Sequence, residues 1–217
     1  MLVSEMILLM FLDERKGKIY YRGRIAKDLG LAGAMILDLY LKGKVSIYGK
    51  RLKILNYCHS GLPYIDKILV FLYRSKRPLK LRSWLNKISK FYKKSSLYFY
   101  QRLESHGILI GGFKARRFYL IKPEVKYSLL EQIKNVVINN LNPDIELLCL
   151  LSLMKACRLI KVYFMKKYRK YVKRRIKELL HSSYYSSETR EMILGVIKAI
   201  EDILRARTTA PAVVAPF

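Results

Sequence analysis

Few side chains in this 217-residue chain have catalytic potential, and they are poorly grouped. His59, His106 and His181 lie far apart. Cys58 directly precedes His59, but adjacency does not supply the oriented third group that activates a nucleophile. Asp13-Glu14 has the form of a paired-carboxylate element, yet Arg15 and Lys16 follow it, which reads as a solvated turn. Cys58, Cys149 and Cys157 form no C-x-x-C pair and read as reduced thiols rather than zinc ligands. The sequence has neither a P-loop nor a glycine-rich dinucleotide fingerprint. No enzymatic activity, metal or cofactor is expected.

Charge is the chemistry that remains. Forty-three Lys and Arg stand against 16 Asp and Glu, a net +27. Self-repulsion of that size works against a compact chain unless salt or a polyanion screens it. The expected partner is therefore polyanionic, either nucleic acid or a leaflet rich in acidic lipid. Two segments concentrate the excess. From Lys67 to Arg102 there are eleven bases and no acid, and Lys161 to Lys177 is a second acid-free run. In the second run Met165, Tyr168, Val172, Ile176 and Leu179 recur at 3–4 spacing. They predict a buried stripe with the bases on the other faces.

The positioning elements are mostly helical. Ser4 is expected to cap a first helix through Ile7–Leu12, and Asp13 to Gly17 to turn the chain. A second helix runs from about Ile25 or Leu29 to Leu41, with Gly43 as a left-handed cap. Lys44–Tyr48 and Arg51–Leu55 alternate around Gly49-Lys50 as a β-hairpin. Helices follow over roughly Tyr64–Lys76, Leu81–Ser89 and Ser95–His106. A second hairpin, Ile110 to Leu120, carries Phe113, Lys114 and Arg116 near its tip. From Val125 to about Arg205 the pattern is helical, broken at Asn142-Pro143-Asp144 and at Ser182–Ser187 into three or four helices. The most apolar stretch, Leu147 to Met154, falls well short of the roughly 20 residues needed to span a bilayer. The expected fold is a mostly α, compact single-domain helical bundle with two small β-hairpins, one protruding. It covers residues 1–207, with a loose tail from 208 to 217. The core is expected from the Ile7–Leu12, Leu31–Leu41 and Leu147–Met154 helices.

In order and spacing these residues resemble the Golgi phosphoprotein 3 family, peripheral proteins whose eukaryotic members bind phosphatidylinositol 4-phosphate. The resemblance is carried by Ser4-Glu5 with the leucine-rich helix to Asp13-Glu14, and by Leu31-Ala32-Gly33 through Leu41-Lys42-Gly43-Lys44-Val45. Leu62-Pro63-Tyr64-Ile65-Asp66, Trp84-Leu85, Arg102-Leu103-Glu104 with Gly107, and Asn142-Pro143-Asp144 continue it. It implies a peripheral, cytosolic-face protein that binds anionic, phosphoinositide-like head groups through a basic surface. The family's head-group Trp and Arg fall here at Gly23 and Ala32, and two further Arg fall at Lys93 and Ser96. Arg22, Arg24, Lys93 and Lys94 are the expected head-group ligands, a set that fits looser anionic-lipid binding. Phe113, Lys114, Arg116 and Arg117 are the expected membrane contacts, and the Ile110–Leu120 hairpin the expected route to self-association. The alternative is a winged-helix-like nucleic-acid-binding protein, because a helix-Gly-hairpin unit occurs twice.

Overall fold

The computed structural model describes residues 1–75, 79–91, 95–112 and 117–209; of Arg22, Phe91, Ser95, Ser96 and Gly112 only the backbone is described. The fold is 65% helical, with ten helices and three two-stranded antiparallel hairpins among the described residues. Helix α1 (Val3–Phe11) leads into β1 (Leu12–Asp13) and β2 (Lys18–Ile19), and a 3-10 turn at Tyr21–Gly23 delivers the chain to α2 (Lys27–Leu41). Hairpin β3 (Val45–Tyr48)–β4 (Arg51–Ile54) follows, then α3 (Pro63–Tyr73), α4 (Leu81–Phe91) and α5 (Ser95–Ser105). Hairpin β5 (Leu109–Gly112)–β6 (Arg117–Leu120) precedes α6 (Pro123–Ile138), α7 (Ile145–Ala156) and the single-turn α8 (Ile160–Tyr163). A 3-10 turn at Lys166–Tyr168, α9 (Arg169–His181) and α10 (Ser187–Thr209) complete the chain.

Local chemistry sets these boundaries. Gly43 and Gly107 end α2 and α5 with φ of +64°, a conformation that costs glycine little. Tyr48 pairs with Arg51, so Gly49-Lys50 is the two-residue turn of its hairpin. Asp144 caps α7 by accepting the Leu147 N–H at 2.7 Å. Pro63 and Pro123 occupy first-turn positions, where the missing N–H costs nothing.

Helix α2 is the spine of the bundle. Every residue from Leu29 to Leu39 is buried, with α1, α4, α7 and α10 packed around it. Gly33 permits a close approach to α10: a Cβ there would lie 2.8 Å from Ile200 and 2.9 Å from Val196. Helix α1 is buried throughout, and α7 nearly so. The three helices expected to build the core therefore do so.

Four local expectations change. Ser4 does not cap α1: the helix begins at Val3, and a buried carboxylate from α2 takes over its first turn. Asp38 accepts the backbone N–H of Val3 at 2.8 Å and of Ser4 at 3.1 Å, and the Ser4 hydroxyl donates to the same group. Burial raises the Asp38 pKa to about 6 against the pull of those hydrogen bonds. Second, the Asp13–Gly17 turn closes a third hairpin, held by the Phe118 N–H donating to the Gly17 carbonyl at 2.8 Å. Third, five helices rather than three or four follow β6, because Arg158 adopts φ of +65° between α7 and α8. Fourth, α10 runs to Thr209, so Thr208 and Thr209 are helical; 210–217 lies outside the described residues.

Candidate functional site

The expected head-group ligands fall in two places. Arg22 lies in the 3-10 turn before α2, and Arg24 just after it, exposed, with its guanidinium 5.7 Å from the exposed Tyr21 ring. Lys93 and Lys94 lie outside the described residues. Gly23 and Ala32 face inward. A Cβ on Gly23 would sit 2.7 Å from the Phe11 ring and 3.5 Å from Leu159, and Ala32 is fully buried. Neither position has room for a tryptophan or arginine side chain.

Of the expected membrane contacts, Phe113, Lys114 and Arg116 lie outside the described residues, while Arg117 is exposed at the start of β6. Hairpin β5–β6 is two-faced, as alternation along a strand requires. Its inner side carries Phe118, stacked on Tyr100 of α5 with ring centroids 3.7 Å apart. Gly111 lies under that ring, where a Cβ would meet Phe118 at 2.2 Å. The outer side exposes the cross-strand pair Ile110 and Tyr119, with Ile121 beyond them.

Many positive charges are committed to the fold. Arg102 pairs with the buried Glu5 at 2.6 Å, joining α5 to α1. Lys126 is buried: its ammonium donates to the Leu12 carbonyl at 2.7 Å, pairs with Glu14 at 3.1 Å and lies 5.5 and 5.7 Å from the Tyr20 and Tyr163 rings. Burial lowers its pKa, opposed by Glu14. Arg175 donates to the Val136, Asn140 and Leu141 carbonyls at the end of α6. Arg169 likewise donates to the Phe164 and Lys161 carbonyls.

The remaining cations of the second basic run are solvated. Lys170, Lys173, Arg174 and Lys177 are exposed and recur at 3–4 spacing, which places them on one face of α9. Lys166 and Lys167 extend that set through the preceding turn. Glu178 answers Arg174 at 3.4 Å and Arg175 at 4.0 Å. The stripe expected to be buried holds only from Val172 onward. Met165 is 64% and Tyr168 47% exposed, because extended backbone at Phe164 and Met165 interrupts the helix. Two exposed apolar side chains thus sit among the lysines, signalled in the sequence only by the same 3–4 spacing that suggested burial.

Catalytic features stay sparse. The His59 ring meets Asp66 at 3.3 Å, but that carboxylate also accepts the Ser60 N–H at 2.7 Å, which fixes the loop before α3. Among the described residues, no group of His, Cys, Asp and Glu could hold a metal ion, and no helix is long and apolar enough to cross a membrane.

Fold and surface together define an α-helical scaffold with small hairpins and a solvated cationic helix. The sequence model of the Golgi phosphoprotein 3 (GPP34) family matches residues 3–196, and the chain belongs to that family. Comparison with curated proteins gives no match to an individual member.

Proposed function

We propose that the chain is a non-catalytic, peripheral membrane-binding protein that docks on acidic phospholipid. The observation that carries this reading is the α9 face, where Lys166, Lys167, Lys170, Lys173, Arg174 and Lys177 are exposed beside Met165 and Tyr168. Each base near an acidic leaflet contributes about 1 kcal/mol. Six give roughly 6 kcal/mol, a reversible affinity in the tens of micromolar range. Met165 adds an apolar side chain that can enter the interface while the lysines stay among head groups. Arg22 and Arg24, with Lys93 and Lys94, are the proposed head-group ligands. Phe113, Lys114, Arg116 and Arg117 at the β5–β6 hairpin are the proposed second contact, and its exposed Ile110–Tyr119 side is the proposed surface for self-association. Family membership supports a cytosolic-face, membrane-peripheral location.

Nucleic acid is the competing polyanion. The enclosure of α2 disfavours a winged-helix reading of the first helix-Gly-hairpin unit, because a recognition helix must present a face to the groove. Flotation of the full chain with vesicles of graded phosphatidylserine content, with and without phosphatidylinositol 4-phosphate, tests the proposal. Recovery should climb with acidic lipid and fall when Lys170, Lys173, Arg174 and Lys177 are changed to Gln. Equal recovery on neutral and acidic vesicles, or a duplex-DNA gel shift at physiological salt without vesicle binding, refutes it.

A further inference from the structure

A second site lies at the C-terminal end of α9, where Leu180 and His181 meet hairpin β3–β4, the start of α4 and the outer side of α10. The Leu81 N–H donates to the Lys50 carbonyl at 2.9 Å, fixing α4 against the β3–β4 turn. These elements border a groove of about 540 Å³, within the roughly 300–1,000 Å³ range of small-molecule sites. Its floor is apolar: Ile47, Leu81 and Leu180 are buried, with Leu194 half-buried beside them. Gly195 keeps that floor low, since a Cβ there would lie 2.9 Å from Ile47 and 3.3 Å from Leu81.

The rim is cationic. Lys50, Lys80, Arg82 and Lys198 are exposed around it, and Arg190 reaches in from α10. Glu191 and Asp202 are the two carboxylates on the rim, so five fixed positive charges face two negative ones. Arg190 is the informative member. One terminal nitrogen donates to the His181 carbonyl at 3.3 Å, while its buried Nε–H meets no acceptor among the described residues. A buried donor without a partner costs stability unless a ligand or water supplies the acceptor.

We propose that this groove binds a single-chain amphiphile with an anionic head, a fatty-acid carboxylate or the phosphate monoester of a one-chain lipid. Its hydrocarbon lies along the Ile47, Leu81, Leu180 and Leu194 floor, and its head draws the Arg190 guanidinium toward it, with Lys198 and Lys80 on the same rim. The concavity distinguishes the groove from α9: a bilayer can lie against a convex helix but cannot fill a depression, whereas one acyl chain can.

The test uses the full chain without vesicles, titrated with cis-parinaric acid, a fluorescent single-chain carboxylate. Saturable binding is expected, displaced by oleic acid and by lysophosphatidic acid but not by methyl oleate or lysophosphatidylcholine. The double change Arg190→Gln and Lys198→Gln should weaken binding about tenfold or more, because hydrogen bonds to a charged head are lost. Leu194→Trp should occlude the floor and abolish binding with the circular dichroism spectrum retained. The α9 Gln variant should bind the probe like wild type, which separates this site from membrane docking. Absence of saturable binding, equal displacement by methyl oleate and oleic acid, or unchanged affinity in the double variant overturns the assignment.

Discussion

Asp38 offers a sharp test of the packing, because one carboxylate joins the start of α1 to the middle of α2. Burial raises its pKa from 3.8 to about 6. At about 1.36 kcal/mol for each tenfold change in proton affinity, that corresponds to roughly 3 kcal/mol. The folded carboxyl holds its proton more tightly than the unfolded one, so this group's contribution is complete below pH 3.8. It is lost as pH rises through about 6. Asp38→Asn cannot ionise and keeps one oxygen for the Val3 N–H. The variant carries a fixed penalty for the altered contact with Ser4, but the titrating part disappears. Urea unfolding of both proteins between about pH 4 and pH 7.5 should show the variant gaining roughly 2–2.5 kcal/mol relative to wild type across that span. Ser4→Ala should move the transition to higher pH by removing a hydrogen bond to the anion. Parallel stability curves for wild type and Asp38→Asn would falsify the buried-carboxylate argument.

Three further outcomes follow from single contacts. Arg102→Ala leaves Glu5 buried without its cation and should cost about 3 kcal/mol in urea unfolding, with Arg102→Lys recovering part of it. Gly33→Leu forces side-chain atoms between α2 and α10 and should cost about 2–3 kcal/mol; an unchanged midpoint would contradict the close approach. Lys126 has its folded pKa depressed by burial, so wild type should gain thermal stability over Lys126→Met as pH rises toward 10.5. A constant gap between about pH 8 and pH 10 would mean that the ammonium is solvated.

Features set by local chemistry were legible in the sequence. The long apolar runs of α2 and α7, the glycines at 43 and 107, and the Gly49-Lys50 turn each act through neighbours a few residues away. Features set by distant contacts were hidden. Ser4 precedes an apolar run as a cap would, but an acid 34 positions later reaches the helix start first. The β1–β2 strands are two residues each and owe their pairing partly to β6, which no short window can show. A left-handed arginine at 158 carries no sequence signal, since arginine has no preference for that conformation. The extended backbone at Phe164 and Met165, which breaks the chain before α9, is what turns Met165 and Tyr168 outward. The groove draws its walls from residues 47 to 202, so no local motif could announce it. Of the residues expected to face lipid, Arg24 and Arg117 are exposed, while Phe113 and five of the cations are known by sequence position or backbone alone.

The enclosure of α2 also separates two kinds of change that the molecule can undergo. Its amide hydrogens should exchange only through global opening, making it the slowest segment in a deuterium-uptake map. Charge on the outer helices can therefore be altered, or neutralised by whatever anion they meet, without loosening the rod at the centre. Such a protein would meet its surface as a rigid body, its adaptable charge worn outside a mechanically silent interior.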